Sequence, residues 1–125
     1  MKASAKNKKE YQLLRQLCEI QAPSGHEKPM KDFLLAYIKK EKKNWAVKPE
    51  VIKGDKFQDS LIIKFGKPRT AIFAHLDTVG FTVRYFNQLI SIGSPHADAG
   101  TKLVGKDSSG EIECELAYDI ENHAF

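Results

Sequence analysis

His75 and Asp77, separated by one residue, are the side chains in this sequence whose types and spacing best suit chemistry. In an extended chain the two point to the same side. The imidazole can give one nitrogen to a divalent metal while the carboxylate takes the N–H of the other, which sets the tautomer and raises the basicity of the ligand. The run Thr70-Ala71-Ile72-Phe73-Ala74 just before them is apolar on both faces and reads as a central strand. Ligands in open α/β sheets bind beyond the carboxyl ends of such strands. Gly80 lets the backbone turn tightly just afterwards. The pattern is short, however. With 4 His and 7 Asp in 125 residues, His-x-Asp arises by chance about 0.2 times per chain. A strand-end histidine satisfied by a neighbouring carboxylate is the plainer alternative.

The remaining reactive side chains are less well placed. His96 repeats the spacing with Asp98, but in an unpatterned loop with no strand before it; His26 lies in a capping region and His123 in the tail. A catalytic zinc takes about three protein ligands and one open position, and one residue here reads as a ligand. Ser24, Ser60 and Ser91 lack the Gly-x-Ser-x-Gly setting of a nucleophile, and there is no Gly-rich phosphate loop. Cys18 falls on an apolar helix face and reads as an inert core thiol. Tyr85 and Phe86 beside Arg84 could stack on a base, but strand aromatics more often belong to the core or the sheet surface.

The elements that must position His75 follow from periodicity. Tyr11, Leu14, Leu17 and Cys18 predict a helix over about 10–20, which Ala22-Pro23-Ser24-Gly25 breaks. Ser24 and Glu27 form a capping-box pattern ahead of a second helix over about 26–42, whose apolar stripe is Met30, Phe33, Leu34, Tyr37 and Ile38. Strands are expected around 45–52, 61–65, 70–74, 81–85 and 89–92. A hairpin then joins Leu103-Val104 to Ile112–Leu116 through the turn residues 106–110. The tail 119–125 has no convincing period. The expected fold is α/β: two N-terminal helices packed on a mixed sheet, with the start of a small β unit. The expected domains are 1–87 and 88–125.

Composition narrows the class. At 42% hydrophobic and 29% charged residues, the chain can bury a core and is not disordered. The net charge of +4 divides into +6 over residues 1–50 and −2 over 51–125. The lysines mix with Glu10, Glu19, Glu27 and Glu41 on helix faces, which reads as a solvated surface rather than a nucleic-acid site. No apolar run reaches the roughly 18 residues that span a bilayer. The Lys-rich N-terminus lacks an apolar stretch and a cleavage site, so it is not a signal peptide. Two distant cysteines, Cys18 and Cys114, suit a reduced compartment. These features predict a cytoplasmic protein with no nucleic-acid or membrane partner.

The string Ala74-His75-Leu76-Asp77-Thr78-Val79-Gly80-Phe81 resembles the metal-binding segment of the co-catalytic zinc metallopeptidases. Within them it looks most like the glutamyl (deblocking, tetrahedral-assembly) aminopeptidases. LCEIQAPSGHEKPMKDFL resembles that family's first two helices and their linker, and DSLIIKFGKPRTAIFAHLD its paired strands leading to the metal histidine. VGFTVRY resembles the strand that follows. ISIGSP and GTKLVGKDSSGEI resemble the beginning of its inserted β-barrel dimerisation domain, so the likeness spans roughly 10–118. The resemblance implies a partial peptidase layer of the phosphorylase/hydrolase-like kind, peptide substrates and a homo-oligomer. It also implies two divalent ions, zinc or cobalt, which generate a hydroxide nucleophile for hydrolysis of the N-terminal peptide bond. His75 carries over as a metal ligand and Asp77 as the catalytic-site residue that orients it. The family's bridging Asp, its Glu pair with the general base and its other ligands follow the inserted domain. None has a counterpart here, and no Glu-Glu pair occurs. The expectation is therefore an N-terminal part, inactive alone. The alternative is a non-enzymatic association module, or a fragment that pairs with a complementary chain.

Overall fold

The computed structural model describes residues 5–117. The polar start 1–9 reads in the sequence as a frayed end; residues 1–4 of it, the tail 119–125 and His123 lie outside the described residues, whereas 5–9 belong to the first helix. The element order is α1 (Ala5–Glu19), α2 (Lys28–Glu41), β1 (Glu50–Ile52), β2 (Ile62–Lys64), β3 (Gly80–Val83), β4 (Leu89–Ile92), β5 (Lys102–Lys106) and β6 (Glu111–Glu115). The strands form separate antiparallel pairs, β1–β2, β3–β4 and β5–β6. The architecture is thus mixed α/β: two helices and small antiparallel pairs in place of the expected mixed sheet. No helix among the described residues is long and apolar enough to cross a membrane. The chain divides into two compact units, Met1–Thr78 and Val79–Phe125. The β3–β4 hairpin therefore falls whole in the second unit, and the expected boundary at 87/88 lies in its turn.

In the first unit, α2 forms where its stripe predicts. Met30 and Ile38 are buried, at 7% and 4% exposure, while Phe33, Leu34 and Tyr37 are half-buried. Pro29 sits in the first turn, where its missing N–H costs nothing, and Lys39 and Lys40 lie in the last turn beside the negative end of the helix dipole. The expected capping box does not form. The N-cap is Glu27, without a side-chain cap bond, so Ser24 lies outside the helix. The linker instead closes on itself: the His26 N–H donates to Pro23 O (2.8 Å) and the Gly25 N–H to Glu27 Oε1 (2.9 Å).

Helix α1 runs longer than expected, and its covered stripe is shifted. Leu13, Leu17 and Ile20 are half-buried, whereas Tyr11 and Leu14 are 68% and 56% exposed. Cys18 lies one residue beyond Leu17, about 100° further round a helix of 3.6 residues per turn. It is exposed, as is Cys114, so the expected core thiol is corrected. Lys9 Nζ of α1 donates to Glu41 Oε2 at 3.0 Å, with Asn44 Nδ2 at 3.4 Å from the same oxygen. The Lys9 hydrogen bond, then that of Asn44, holds the Glu41 carboxyl below its ordinary value of 4.5. A lowered folded-state value means that the stabilisation is complete above 4.5 and lost as pH falls through the folded value. Glu41→Gln should therefore lower the urea midpoint at neutral pH, and its deficit relative to wild type should shrink steadily on acidification below that range.

The first strand is shorter than expected, because the chain leaves a 3-10 turn at Lys42–Asn44 and runs irregularly over 45–49; Trp45 packs on Phe65, ring centroids 5.9 Å apart. β1 and β2 pair in the register Val51↔Ile63. Lys31 of α2 donates to Gln58 O (2.7 Å) and Asp59 Oδ1 (3.0 Å), tying the helix to the loop between them. The expected central strand 70–74 does not form, and Ile72 and Phe73 are 93% and 92% exposed. A strand apolar on both faces needs ladder partners and a cover on each side. Among the described residues β2 pairs with β1, and no strand pairs with 70–74.

In the second unit, β3 and β4 pair from Gly80↔Ile92 to Val83↔Leu89. Their turn places Phe86 and Asn87 in the left-handed region at φ 58° and 60°, as tight primed hairpin turns require. The hairpin read from 103–116 forms as expected. The Asp107 carboxylate accepts from the Ser109 N–H (2.7 Å) and the Gly110 N–H (3.0 Å). The register sets Lys102 opposite Glu115 and Lys106 opposite Glu111, favourable cross-strand neighbours. Leu116 is 2% exposed, and its N–H donates to Thr101 O at 2.8 Å.

Candidate functional site

The first unit brings its interhelical linker against the segment after Ala74. Pro23 and Thr78 form an isolated parallel bridge. The Thr78 N–H donates to Ala22 O (2.8 Å) and the Ala22 N–H to Thr78 Oγ1 (3.0 Å), with Ala22 wholly buried. This two-bond clasp carries the reactive residues. From the linker, Ser24 Oγ donates to Asp77 Oδ2 at 2.6 Å. His75 Nδ1 lies 2.9 Å from the Asp77 backbone O and 3.2 Å from Asp77 Oδ1.

These contacts set the electronic state of the site. A carbonyl oxygen only accepts, so the ring nitrogen facing it carries the proton. Nε2 is left with its lone pair on a side chain that is 85% exposed. The Ser24 hydroxyl chiefly, then Asp77's own backbone N–H and the His75 ring, hold the Asp77 carboxyl below its ordinary value of 3.8. The anion is thereby favoured, which keeps both oxygens as acceptors.

The structure thus places His75 and Asp77 in contact, though after an irregular, exposed segment rather than a buried strand. The other histidines stand apart. His26 is exposed in the linker, and His96 is exposed in the second unit. There Asp98 turns with Thr101 through an N–H to Thr101 Oγ1 bond of 3.1 Å. Among the described residues no group of three or more His, Cys, Asp or Glu side chains is gathered to hold a metal. The donor set is one imidazole nitrogen, which fits a terminal ligand and does not by itself make a metal pair.

Ser24 and Thr78 are the participants that periodicity misses. Ser24 reads locally as half of a capping box, and its partner Asp77 is 53 residues away. The helix starts only at Lys28, too late for Ser24 to cap it. Compared with known proteins, the chain matches no family model and no curated protein sequence.

Proposed function

We propose that the chain is the N-terminal part of a metal-dependent aminopeptidase and carries one histidine ligand of its metal pair. The observation that carries this reading is the state of His75: its Nδ1–H is occupied by Asp77 and its Nε2 is left open on an exposed ring. A backbone carbonyl at that nitrogen, with a carboxylate beside it, is an arrangement that supports a metal-bound imidazole. The helices and the chain leading to His75 would then belong to one layer of the peptidase domain, and β5–β6 to its inserted β unit. Asp77 orients the ring; Ala22 and Thr78 fix the backbone beneath it. The substrates would be peptides with a free N-terminus, the cofactor zinc or cobalt, the assembly homo-oligomeric and the location cytoplasmic. The other ligands and the general base would lie outside these 125 residues.

Zinc titration followed by the imidazole NMR resonances tests this. The His75 signal should move first and furthest, ahead of His26, His96 and His123, and His75→Ala should leave only the weak response of the other three. The chain alone should hydrolyse no peptide with either metal. A His75 signal that moves no more than the others would overturn the ligand role.

A second reading is favoured by a separate observation, the exposure of Ile72 and Phe73. On this reading the chain is an association module in which a second copy pairs along 70–74, covering both side chains and engaging the backbone groups that no strand of the described residues pairs with.

A further inference from the structure

We infer that Ser24 is a positioning residue for His75, acting through Asp77 to hold the ring proton on Nδ1 and keep Nε2 open; this rests on the reading of His75 as a metal ligand. A carboxylate beside a histidine can rotate freely unless its second oxygen is held. Here Ser24 Oγ holds Oδ2 at 2.6 Å, which leaves Oδ1 facing His75 Nδ1 at 3.2 Å, beside the backbone carbonyl at 2.9 Å. The ring thus meets two acceptors belonging to one residue, and only the carboxylate one depends on Ser24. The two nitrogens of a histidine ring are distinct, and which of them carries the proton is set by the hydrogen bonds they make, here the acceptors facing Nδ1.

The geometry also separates this role from a structural one. The linker is anchored by the paired Ala22–Thr78 bonds and by the turn from His26 N–H to Pro23 O, none of which uses the Ser24 side chain. Ser24 does not cap α2. Its side chain is exposed, so its removal opens no cavity. What it supplies to the fold beyond its backbone is the hydrogen bond to Asp77.

Long-range proton–nitrogen NMR of the histidine rings, recorded near pH 8 where an ordinary histidine of pKa about 6.5 is neutral, reads the tautomer directly and needs no metal. Wild-type His75 should be predominantly Nδ1–H. Ser24→Ala should move the ratio severalfold toward Nε2–H, Ser24→Thr should keep the wild-type ratio, and His26 and His96 should be unchanged in both. A ratio unaffected by Ser24→Ala overturns the inference, as does a wild-type ring already carrying its proton on Nε2. Because zinc is absent, this result stands apart from the metal titration: either can fail while the other holds.

Discussion

Ile38→Ala should lower the stability of the first unit by about 2–5 kcal/mol, the range for truncating a large buried aliphatic side chain where neighbours cannot collapse into the space. Ile38 is 4% exposed, and with Met30 and Ala22 it makes up the buried apolar set of this unit among the described residues. Small domains have total stabilities of about 5–15 kcal/mol, so one such loss removes a large part of what holds α2 in place. The expected observation is a lower urea midpoint by circular dichroism with an unchanged slope. The site should respond as well. Ser24 lies four residues before the start of α2, so fraying of the helix frees the linker that carries the hydroxyl onto Asp77. A cost below about 0.5 kcal/mol, typical of surface positions, would show that α2 is not packed through this residue.

The contrast between α2 and the segment 70–74 shows what was legible in the sequence. The α2 stripe needs cover on one face only, and Met30 and Ile38 on that face are buried. The turn at Asp107–Gly110 was equally legible, because its hydrogen bonds close within four residues. Thr70-Ala71-Ile72-Phe73-Ala74 carries as clear a pattern, but that pattern describes an environment: strands on both edges and layers on both faces. Composition and periodicity report what a segment would do when covered, and they are silent on whether the cover is there. The site divides in the same way. The proximity of His75 and Asp77 follows from their spacing. The part played by Ser24 depends on a contact spanning 53 residues, and a strong local alternative, the capping box, concealed it. For Cys18 the error was rotational. The periodicity of α1 reads an apolar stripe through residues 11, 14, 17 and 18; of these only Leu17 is covered, and the half-buried stripe passes through 13, 17 and 20.

If a second copy covers 70–74, replacing both Ile72 and Phe73 with lysine should weaken self-association by about a hundredfold or more. Complete burial of an isoleucine or phenylalanine side chain is worth about 1.5–3 kcal/mol each, and each 1.4 kcal/mol or so is tenfold in a dissociation constant. With both side chains more than nine-tenths exposed, almost the whole of that area remains to be gained. The same exposure means that the substitutions remove no packing within the chain, so the circular dichroism spectrum and urea midpoint of the double variant should match wild type. Light scattering coupled to gel filtration, with sedimentation over a concentration series, separates the outcomes. A wild-type chain that associates, beside a double variant that stays monomeric and folded, supports pairing along this segment. A wild-type chain that remains monomeric up to about 1 mM removes the association reading, and so does a double variant that associates as tightly as wild type. Neither result touches the state of His75, because the ring, Asp77 and Ser24 are held by the Ala22–Thr78 clasp rather than by the residues being changed.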